Sequence, residues 1–424
     1  MKTSKRRIKA ISALSGIFLI VFLFSSCLKA GLENNPQAPA MQTVAAESSD
    51  SENSETMRGF WIDYLEIGEL YSQGEEAFVR EIDSSFDYLA QKGFNTVFFH
   101  ARAFCDAFYR SAIFPVSSYL NNGAVLSVDP LAVAVEAAHR RGMRIHAWVN
   151  PYRVSYNNDI DSQELSSTAK QMLENGQANR FLITGSGIYL DPANIDNQSL
   201  ILGGIKEILD AYAVDGIHID DYFYPADVTD TDRAGYEAYL SAGGTLSLSD
   251  WRRANVSALV SSIYGLVKTY GAEKEFGVSP SGNFETNYNT CYADIERWVK
   301  QAGYCDYIVP QLYYGFLHES CSFEELLDRW CGLTDGSGVR LSVGLALYKA
   351  GKTDPYAGAQ AAREEWIASD DLIARQIRVS RDRTQYGGFV VFSYADLMYH
   401  GTEGAKIHQL ENLFSLMNEE SPNG

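Results

Sequence analysis

The stretch Asp215-Gly-Ile-His-Ile-Asp-Asp-Tyr-Phe-Tyr-Pro225 carries more structural information than any other part of the chain. Its apolar residues predict a buried β-strand that ends abruptly at two adjacent carboxylates, Asp220 and Asp221. An aromatic loop follows at once. Charged side chains are rarely buried without a partner or a chemical task. The stretch therefore predicts a strand that brings two acids to the edge of a core.

Seven further apolar runs have the same character, and helical patterns separate them. The eight predicted strands are Gly59–Tyr64, Thr96–Arg102, Arg144–Asn150, Gly216–Asp221, Glu275–Ser281, Tyr307–Tyr313, Arg340–Leu347 and Gly388–Tyr394. The predicted helices are Ala77–Lys92, Leu131–Arg141, Leu200–Ala213, Leu248–Tyr270, Tyr292–Gln301, Phe323–Cys331 and Ala359–Thr384. This alternation predicts an α/β fold, a (β/α)8 TIM barrel with loop insertions after strands three and four. An open doubly wound sheet is the alternative, but no Gly-x-Gly-x-x-Gly follows the first strand.

The barrel interpretation also locates the candidate site, because barrel enzymes carry their reactive groups at the C-terminal ends of the strands. We predict that Asp220 and Asp221 form a catalytic acid/base pair. The predicted substrate-binding residues come from the ends of strands two, three, four and six: Arg102, His146, Trp148, Asn150, Tyr152, Arg153, His218, Tyr222, Tyr224, Gln311, Tyr313 and Tyr314. Rings that stack and polar groups that pair with hydroxyls make such a set suitable for sugars.

The geometry of adjacent acids leaves a second assignment open. Neighbouring residues of a strand point to opposite faces, so both acids reach the cleft only if the strand ends there. A second carboxylate from another strand, Asp63, Asp106 or Asp396, is therefore an alternative partner for Asp220.

Three histidines with inward parity, His100, His146 and His218, occur on neighbouring predicted strands. Three imidazoles on neighbouring strands could bind zinc. Neutral, hydrogen-bonded histidines in a barrel interior are more common. The first strand lacks the His-x-His of metal-dependent barrel hydrolases. We therefore predict neither a metal nor a cofactor.

The N-terminal residues predict export. A basic segment precedes the apolar run Ile11–Phe24, which small residues close at Ser25-Ser26-Cys27. This ending resembles a bacterial lipobox, so we predict a signal over residues 1–27 with Cys27 as the lipid-attachment residue. Residues 28–56 are polar and acidic, which predicts a disordered tether between the membrane and a folded part at 57–424.

Charge and cysteine usage exclude other classes of protein. The chain has 35 basic and 54 acidic residues, a net charge of −19, and nucleic-acid binding requires a cationic surface. Five cysteines follow Cys27, without the CxxC spacing of structural zinc sites, and their odd number leaves at least one thiol unpaired within a chain. No oligomeric state is predicted.

Several motifs occur in a fixed order along the chain. They are Asp129-Pro-Leu, Ala137-Ala-His-Arg-Arg-Gly142, His146-Ala-Trp-Val-Asn-Pro-Tyr-Arg153, Tyr189-Leu-Asp-Pro192, the stretch Gly216–Pro225, Gly277-Val-Ser-Pro280, Val309-Pro-Gln-Leu-Tyr313 and Gly388-Phe-Val-Val-Phe-Ser393. Together they resemble the glycosyl-hydrolase-like 10 family of exported, glycosidase-like lipoproteins, from Arg58 to the end of strand eight. The resemblance implies a TIM-barrel glycosidase, with peptidoglycan strands stripped of stem peptides as the substrate of some members.

These observations support one leading hypothesis, a membrane-anchored glycosidase of the bacterial cell envelope that acts on amino-sugar glycans. Two hypotheses of other classes remain. The first is a lipoprotein that binds carbohydrate without cutting it, since fold does not fix function. The second is a metal-dependent glycan deacetylase. Two carboxylates at one strand end favour catalysis, because a binding protein does not need them.

Overall fold

Eight parallel strands close into a barrel in the computed structural model of the chain. The structure describes residues 56–120, 123, 125–160, 162, 165–398, 401 and 404–419. The predicted signal, Cys27 and nearly all of the predicted tether lie outside these residues. The strands are β1 (Met57–Ile62), β2 (Thr96–Arg102), β3 (Arg144–Val149), β4 (Arg153–Ser155), β5 (Phe181–Thr184), β6 (Gly187–Leu190), β7 (Gly216–Ile219), β8 (Glu275–Val278), β9 (Tyr307–Ile308), β10 (Arg340–Ala346) and β11 (Tyr386–Phe392).

The barrel order confirms the predicted fold class. The closed sheet runs β1-β2-β3-β7-β8-β9-β10-β11 and returns to β1, while β4, β5 and β6 form a separate three-stranded sheet. That small sheet belongs to the insertion after β3, the third barrel strand, and a second insertion follows β7, the fourth. Both insertions emerge at the C-terminal ends of barrel strands, where a barrel carries its site.

Each of the seven predicted helices has a counterpart in the structure, with shifts at the ends. The helices are α1 (Tyr64–Ser72), α2 (Glu75–Gln91), α3 (Pro130–His139), α4 (Ser167–Glu174), α5 (Ile195–Ala211), α6 (Arg233–Ser241), α7 (Leu248–Lys268), α8 (Ile295–Lys300), α9 (Phe323–Thr334), α10 (Gln360–Arg363), α11 (Glu365–Ala368), α12 (Leu372–Arg381), α13 (Tyr394–Leu397) and α14 (Ala405–Asn418). Of these, α1, α4, α6, α13 and α14 were not predicted. The predicted helix Ala359–Thr384 is three helices, α10 to α12. The predicted first strand ends early because Asp63 caps α1.

Two of the barrel strands that are shorter than predicted, β8 and β9, end just before prolines. β8 ends at Val278, two residues before Pro280, and β9 ends at Ile308, two residues before Pro310. Proline has no N–H to donate, so a regular ladder does not continue through it. Beyond the prolines, Gln311 still makes isolated bridges to both neighbouring strands. The chain therefore remains at the barrel rim after the regular strand has ended.

Large rings fill the interior of the barrel. Trp61, Phe98, Trp148 and Tyr307 belong to one buried cluster, separate from the larger core between the strands and the surrounding helices. Gly277 makes room for the Tyr307 ring, since a Cβ at this position would lie 2.0 Å from it. The barrel is thus a packed core that supports a site at one end.

Two remaining predictions concern covalent and membrane features. Cys105, Cys291, Cys305, Cys321 and Cys331 are all free thiols. In the described part of the chain, no helix combines the length and the apolar character needed to cross a bilayer.

Candidate active site

Asp220 follows directly after β7, at the barrel end that carries the insertions. Its side chain is buried, and Oδ2 accepts hydrogen bonds from Nε1 of Trp148 at 2.9 Å and Nδ2 of Asn150 at 3.4 Å. Oδ1 accepts from the backbone N–H of Tyr222 at 3.4 Å. Burial, and then the charge of Asp221, raises the pKa of Asp220 to about 7. This carboxyl group can therefore carry a proton near neutral pH and donate it.

Asp221 lies in a different environment, although it is the next residue. It is half-buried, and the Gln311 side chain hydrogen-bonds to its carboxylate. Burial raises the pKa of Asp221, while the Gln311 hydrogen bond and the Arg153 charge act in the opposite direction. Since β7 ends at Ile219, strand alternation no longer forces the two acids to opposite faces. Their charges interact, as the effect of Asp221 on the pKa of Asp220 shows.

Trp148 lies mainly beneath the site, at its floor, and contributes little to the wall of the cleft. It is 8 % exposed and stacks on the His100 ring, with centroids 3.7 Å apart and planes at 11°. Because its indole N–H points to Asp220, it orients that carboxylate. Asn150 has a similar position, with Nδ2 toward Asp220 and Oδ1 accepting from the backbone N–H of Arg153 at 3.0 Å.

A chain of hydrogen bonds lies below this floor. Nε1 of Trp61 donates to Nε2 of His218 at 3.2 Å, so the proton of the neutral His218 ring is on Nδ1. That N–H faces the Tyr307 hydroxyl at 3.2 Å, and the hydroxyl in turn donates to Nδ1 of His146 at 2.8 Å. Burial lowers the pKa of His218 to about 3 and that of His146 well below its usual value. Both rings are therefore neutral structural groups.

This depth corrects two substrate-binding predictions, His146 and His218. Each has the predicted inward parity, but each precedes the cleft residue of its strand by two positions, roughly 7 Å along a strand. Both are fully buried. Among the described residues, no group of three or more His, Cys, Asp or Glu side chains is arranged to hold a metal ion.

Arg153 brings a positive charge to both acids. Its Cζ lies 4.3 Å from the centroid of the Tyr222 ring and 4.9 Å from that of Phe104, so the guanidinium group is held between two rings. The charge lowers the pKa of Asp220 and of Asp221. Arg153 and Tyr222 thus lie at the acids, as the sequence suggested.

Arg102 is a further correction. It is 1 % exposed, and its Nη2 donates to the backbone carbonyl oxygens of Asn150 at 3.1 Å and Pro151 at 3.0 Å. Its Cζ lies 4.7 Å from the centroid of the Phe114 ring. An irregularity in the β2–β3 register between His100 and Arg102 breaks the alternation on which the prediction depended. Arg102 is therefore buried beneath the loop after β3, which it holds by hydrogen bonds, and it does not line the cleft.

Tyr152 and Tyr224 are also buried, against the prediction that they line the cleft. Tyr152 is covered by the insertion sheet, since the N–H of Leu190 in β6 donates to its carbonyl oxygen at 2.7 Å. Tyr224 packs edge-on against Tyr292, with ring centroids 5.2 Å apart. The charge of Asp191 contributes to the raised pKa of both phenols. These tyrosines lie between the cleft and the insertions.

Tyr313 and Tyr314 lie at the rim after β9, and both are half-buried. The Tyr313 ring stacks on Phe392 at 6.2 Å and meets Tyr348 edge-on at 5.9 Å. Asp221 affects the pKa of both tyrosines, which places their phenols within electrostatic reach of the acids. Gln311, Tyr313 and Tyr314 all follow the sixth barrel strand, whereas Arg153 follows the third.

The three alternative carboxylates have structural partners. Asp63 caps α1 and forms a capping box with Glu66. Asp106 is buried, and its Oδ1 accepts a hydrogen bond from the backbone N–H of Phe104 at 2.9 Å. Asp396 forms an ion pair with Lys406. None of these contacts is to Asp220, whereas the charge of Asp221 acts on Asp220 directly.

Sequence reasoning missed three aromatic residues near the acids. Tyr64 is close enough to Arg153 for that charge to lower its phenol pKa against the effect of burial. Tyr189 pairs with Arg153 between β6 and β4, and Tyr348 packs against the Tyr313 ring. Tyr189 lies inside a motif of the family and Tyr348 follows strand seven, so both had a signal. Tyr64 also had one, because it ends the first predicted strand.

Proteins of one family resemble this chain over most of its length. Residues 56–358 match the family described as Glycosyl hydrolase-like 10. Glycosyl hydrolase DigH from Escherichia coli strain K12 is 31 % identical over 369 residues, which are 78 % of this chain and 82 % of the relative. Glycosyl hydrolase YngK from Bacillus subtilis strain 168 is 31 % identical over 332 residues, 73 % of this chain and 62 % of the relative.

A solved structure shows the same fold. The PgaB (BpsB) glycoside hydrolase domain from Bordetella bronchiseptica has a TM-score of 0.56 and 12 % identity, and the match covers 87 % of this chain and 100 % of that domain. At this identity the likeness concerns the fold alone. Sequence and fold together confirm the predicted resemblance, and the chain belongs to the glycosyl hydrolase-like 10 family.

Proposed function

We propose that this protein is a glycoside hydrolase that cuts amino-sugar glycans, with peptidoglycan strands stripped of their stem peptides as the substrate. One observation carries the proposal more than any other. Asp220 is a buried carboxyl group with a pKa raised to about 7, beside a second carboxylate at the C-terminal end of a barrel strand. Glycosidases use such a pair, one protonated and one ionised.

The two acids have different roles in the proposed reaction. Asp220, protonated near neutral pH, donates its proton to the oxygen of the leaving sugar. Burial raises the pKa of Asp221, but Gln311 and Arg153 counteract this and favour its ionised form, which stabilises the positive charge that develops on the sugar ring. Water then bonds to the anomeric carbon, gives up its proton to a carboxylate and completes the hydrolysis. Trp148 and Asn150 hold Asp220 in place by hydrogen bonds to Oδ2.

The substrate class is supported by the cleft and by the family. Half-buried rings of Tyr222, Tyr313 and Tyr314 offer faces for sugar C–H groups, and Gln311 offers an amide for hydroxyls. Peptidoglycan itself is an expectation from the family resemblance. We further propose that the protein is exported and anchored to the membrane of the bacterial cell envelope through a lipid on Cys27.

Replacement of Asp220 tests the proposal. The full-length Asp220→Asn variant should fold and bind denuded glycan strands but keep less than about a tenth of the wild-type rate, because general acid catalysis contributes roughly 10²–10⁴-fold. Asp63→Asn is the matched control: it changes another strand-end acid, and asparagine is also a good helix cap. Product masses give the readout.

Four outcomes would contradict the proposal. An active Asp220→Asn protein would remove Asp220 from the proton-donor role, and an inactive Asp63→Asn protein with normal stability would transfer that role. Loss of acetyl groups without shorter saccharides would indicate a deacetylase. Glycan binding by the wild type without any products would indicate a binding protein.

A further inference from the structure

A cavity of about 590 Å³ lies between the two insertions, with walls from residues 178–194 of the first and 231–251 of the second. Small residues, among them Ala234 and Gly235, keep it open. A Cβ on Gly235 would lie 3.4 Å from the Trp251 ring. The volume falls within the roughly 300–1,000 Å³ of sites that bind small molecules.

Aromatic rings give the cavity a rigid wall. Tyr239 and Trp251 both line it, with ring centroids 6.2 Å apart. The Tyr239 hydroxyl accepts hydrogen bonds from the backbone N–H groups of Thr245 and Leu246, each at 3.0 Å, which fixes the ring. The Tyr239 side chain remains partly exposed. A fixed, partly exposed ring backed by a second ring suits the C–H face of a sugar.

The charged groups of the cavity select against anions. Its described lining residues include two aspartates and no Lys or Arg. Asp232 is already paired with Arg252, which donates to both of its oxygens at 2.6 and 2.7 Å. Asp191 is 8 % exposed, accepts the Ala193 N–H at 2.9 Å, and has a pKa raised to about 6 by burial. A ligand with neutral hydrogen-bond donors fits this wall, and a carboxylate or phosphate does not.

Two buried hydroxyl groups lie beside Asp191. The phenols of Tyr152 and Tyr224 are more than nine-tenths buried, and neither hydroxyl has a hydrogen-bond partner among the described residues. Buried polar groups normally have partners, so each such exception requires an explanation. Asp191 acts on the pKa of both phenols, but neither tyrosine lines the cavity, so both lie behind its acidic wall.

The small sheet connects this cavity to the candidate active site. Arg153, which lies at the catalytic acids, pairs with Tyr189 across β4 and β6. Asp191 follows Tyr189 by two residues, roughly 7 Å along an extended chain. The chain thus runs directly from Tyr189, the strand partner of Arg153, to the cavity residue Asp191.

We propose that the cavity is a second saccharide-binding site, which holds an uncharged sugar unit of the glycan that is cut in the cleft. The identity of that glycan rests on the proposed function, while the preference for a neutral, hydroxyl-rich ligand follows from the cavity. Because the Asp191 carboxylate of the wall repels anions while Asp232 is neutralised by Arg252, sugar units that carry a carboxylate bind less well than N-acetylglucosamine units.

Filling the cavity tests the proposal. Ala234→Trp in α6 places a large ring at the lining, and Glu237→Trp is the matched control, an exposed position of the same helix that does not line the cavity. Both changes are made in full-length Asp220→Asn protein, so that no probe is consumed. The N-acetylglucosamine tetrasaccharide is titrated by calorimetry. We expect Ala234→Trp to weaken binding about tenfold, a loss of ~1.4 kcal/mol, and the control to leave it unchanged.

Other measurements keep the test decisive. Asn179→Ala, a change at an exposed lining residue, should weaken binding in the same direction even if Ala234→Trp does not fold. Equal affinities for folded cavity variants and control would overturn the second site, as would a wild type that binds no saccharide. Failure of wild-type protein to cut glycans, with binding still lost in Ala234→Trp, would overturn the proposed function and not the second site.

Discussion

Asp220 and Asp221 differ in environment because β7 ends at Ile219, just before them, where the barrel core meets its rim. Asp220 is 3 % exposed and its Oδ2 accepts an indole and an amide N–H. Asp221 is more exposed and lies near the Arg153 charge. Burial opposes ionisation at both acids, and Asp221 further opposes ionisation of Asp220. The pair titrates as a coupled unit with one proton held preferentially at Asp220.

The pH dependence of kcat/KM should therefore be bell-shaped. Asp220 acts in its protonated form, so the rate falls as pH rises through its pKa of about 7, and the acid limb reports protonation of Asp221. Arg153→Gln removes a charge that lowers the pKa of Asp220, and should move the alkaline limb to higher pH. Arg153→Lys keeps the charge and should leave the limb near its wild-type position. An unmoved limb in the Gln variant would exclude this electrostatic role.

Tyr313 provides a separate test of the cleft wall. Tyr313→Ala should weaken oligosaccharide binding by about 1–2 kcal/mol, the contribution of one lost ring contact and its buried area. Its melting temperature should change little, because a half-buried rim ring supports little of the core. Tyr288→Ala, at an exposed tyrosine, serves as the control in calorimetry and thermal denaturation. A large loss of stability with unchanged affinity would assign Tyr313 to the core.

For single strands, the sequence predicted which side chains point into the barrel but not how far below the cleft they lie. The alternation along β3 and β7 correctly turned His146, Trp148 and His218 inward, yet only residues at the strand ends reach the cleft. Depth depends on where a ladder stops, which here follows from strand pairing. The Arg102 error has a similar cause, since a register irregularity depends on the partner strand. Neither is visible in one segment of sequence.

The hydrogen-bond chain beneath the site should lose stability when the Tyr307 hydroxyl is removed. Tyr307→Phe leaves Nδ1 of His146 and the Nδ1–H of His218 without their shared partner, at a cost of about 1–3 kcal/mol in the free energy of unfolding. Chemical denaturation measures the change. Tyr356→Phe, at a tyrosine that is 54 % exposed, should stay within about 0.5 kcal/mol. Equal losses in the two variants would show that the hydrogen-bond chain contributes nothing.

For the whole molecule, the repeated alternation of strands and helices was sufficient to predict the barrel and its insertions. Each strand and each helix has its own hydrophobic periodicity, and eight strand–helix units in succession commonly form a closed barrel. The cavity between the insertions had no comparable signal. Its walls come from residues 178–194 and 231–251, and they meet only because both segments lie over neighbouring barrel strands. Long insertions of irregular chain therefore limit what sequence alone predicts about the site.

The cellular position of the barrel depends on the N-terminal segment, which lies outside the described residues. If Cys27 carries two acyl chains, it buries enough hydrocarbon for stable anchoring, whereas one chain gives only marginal binding. Cys27→Ser should therefore abolish labelling by radioactive palmitate and change the membrane fraction of the protein. Ser48→Ala, a substitution later in the N-terminal segment, should leave both unchanged. Palmitate in the Cys27→Ser protein, or a wild type absent from membranes, would exclude this anchor.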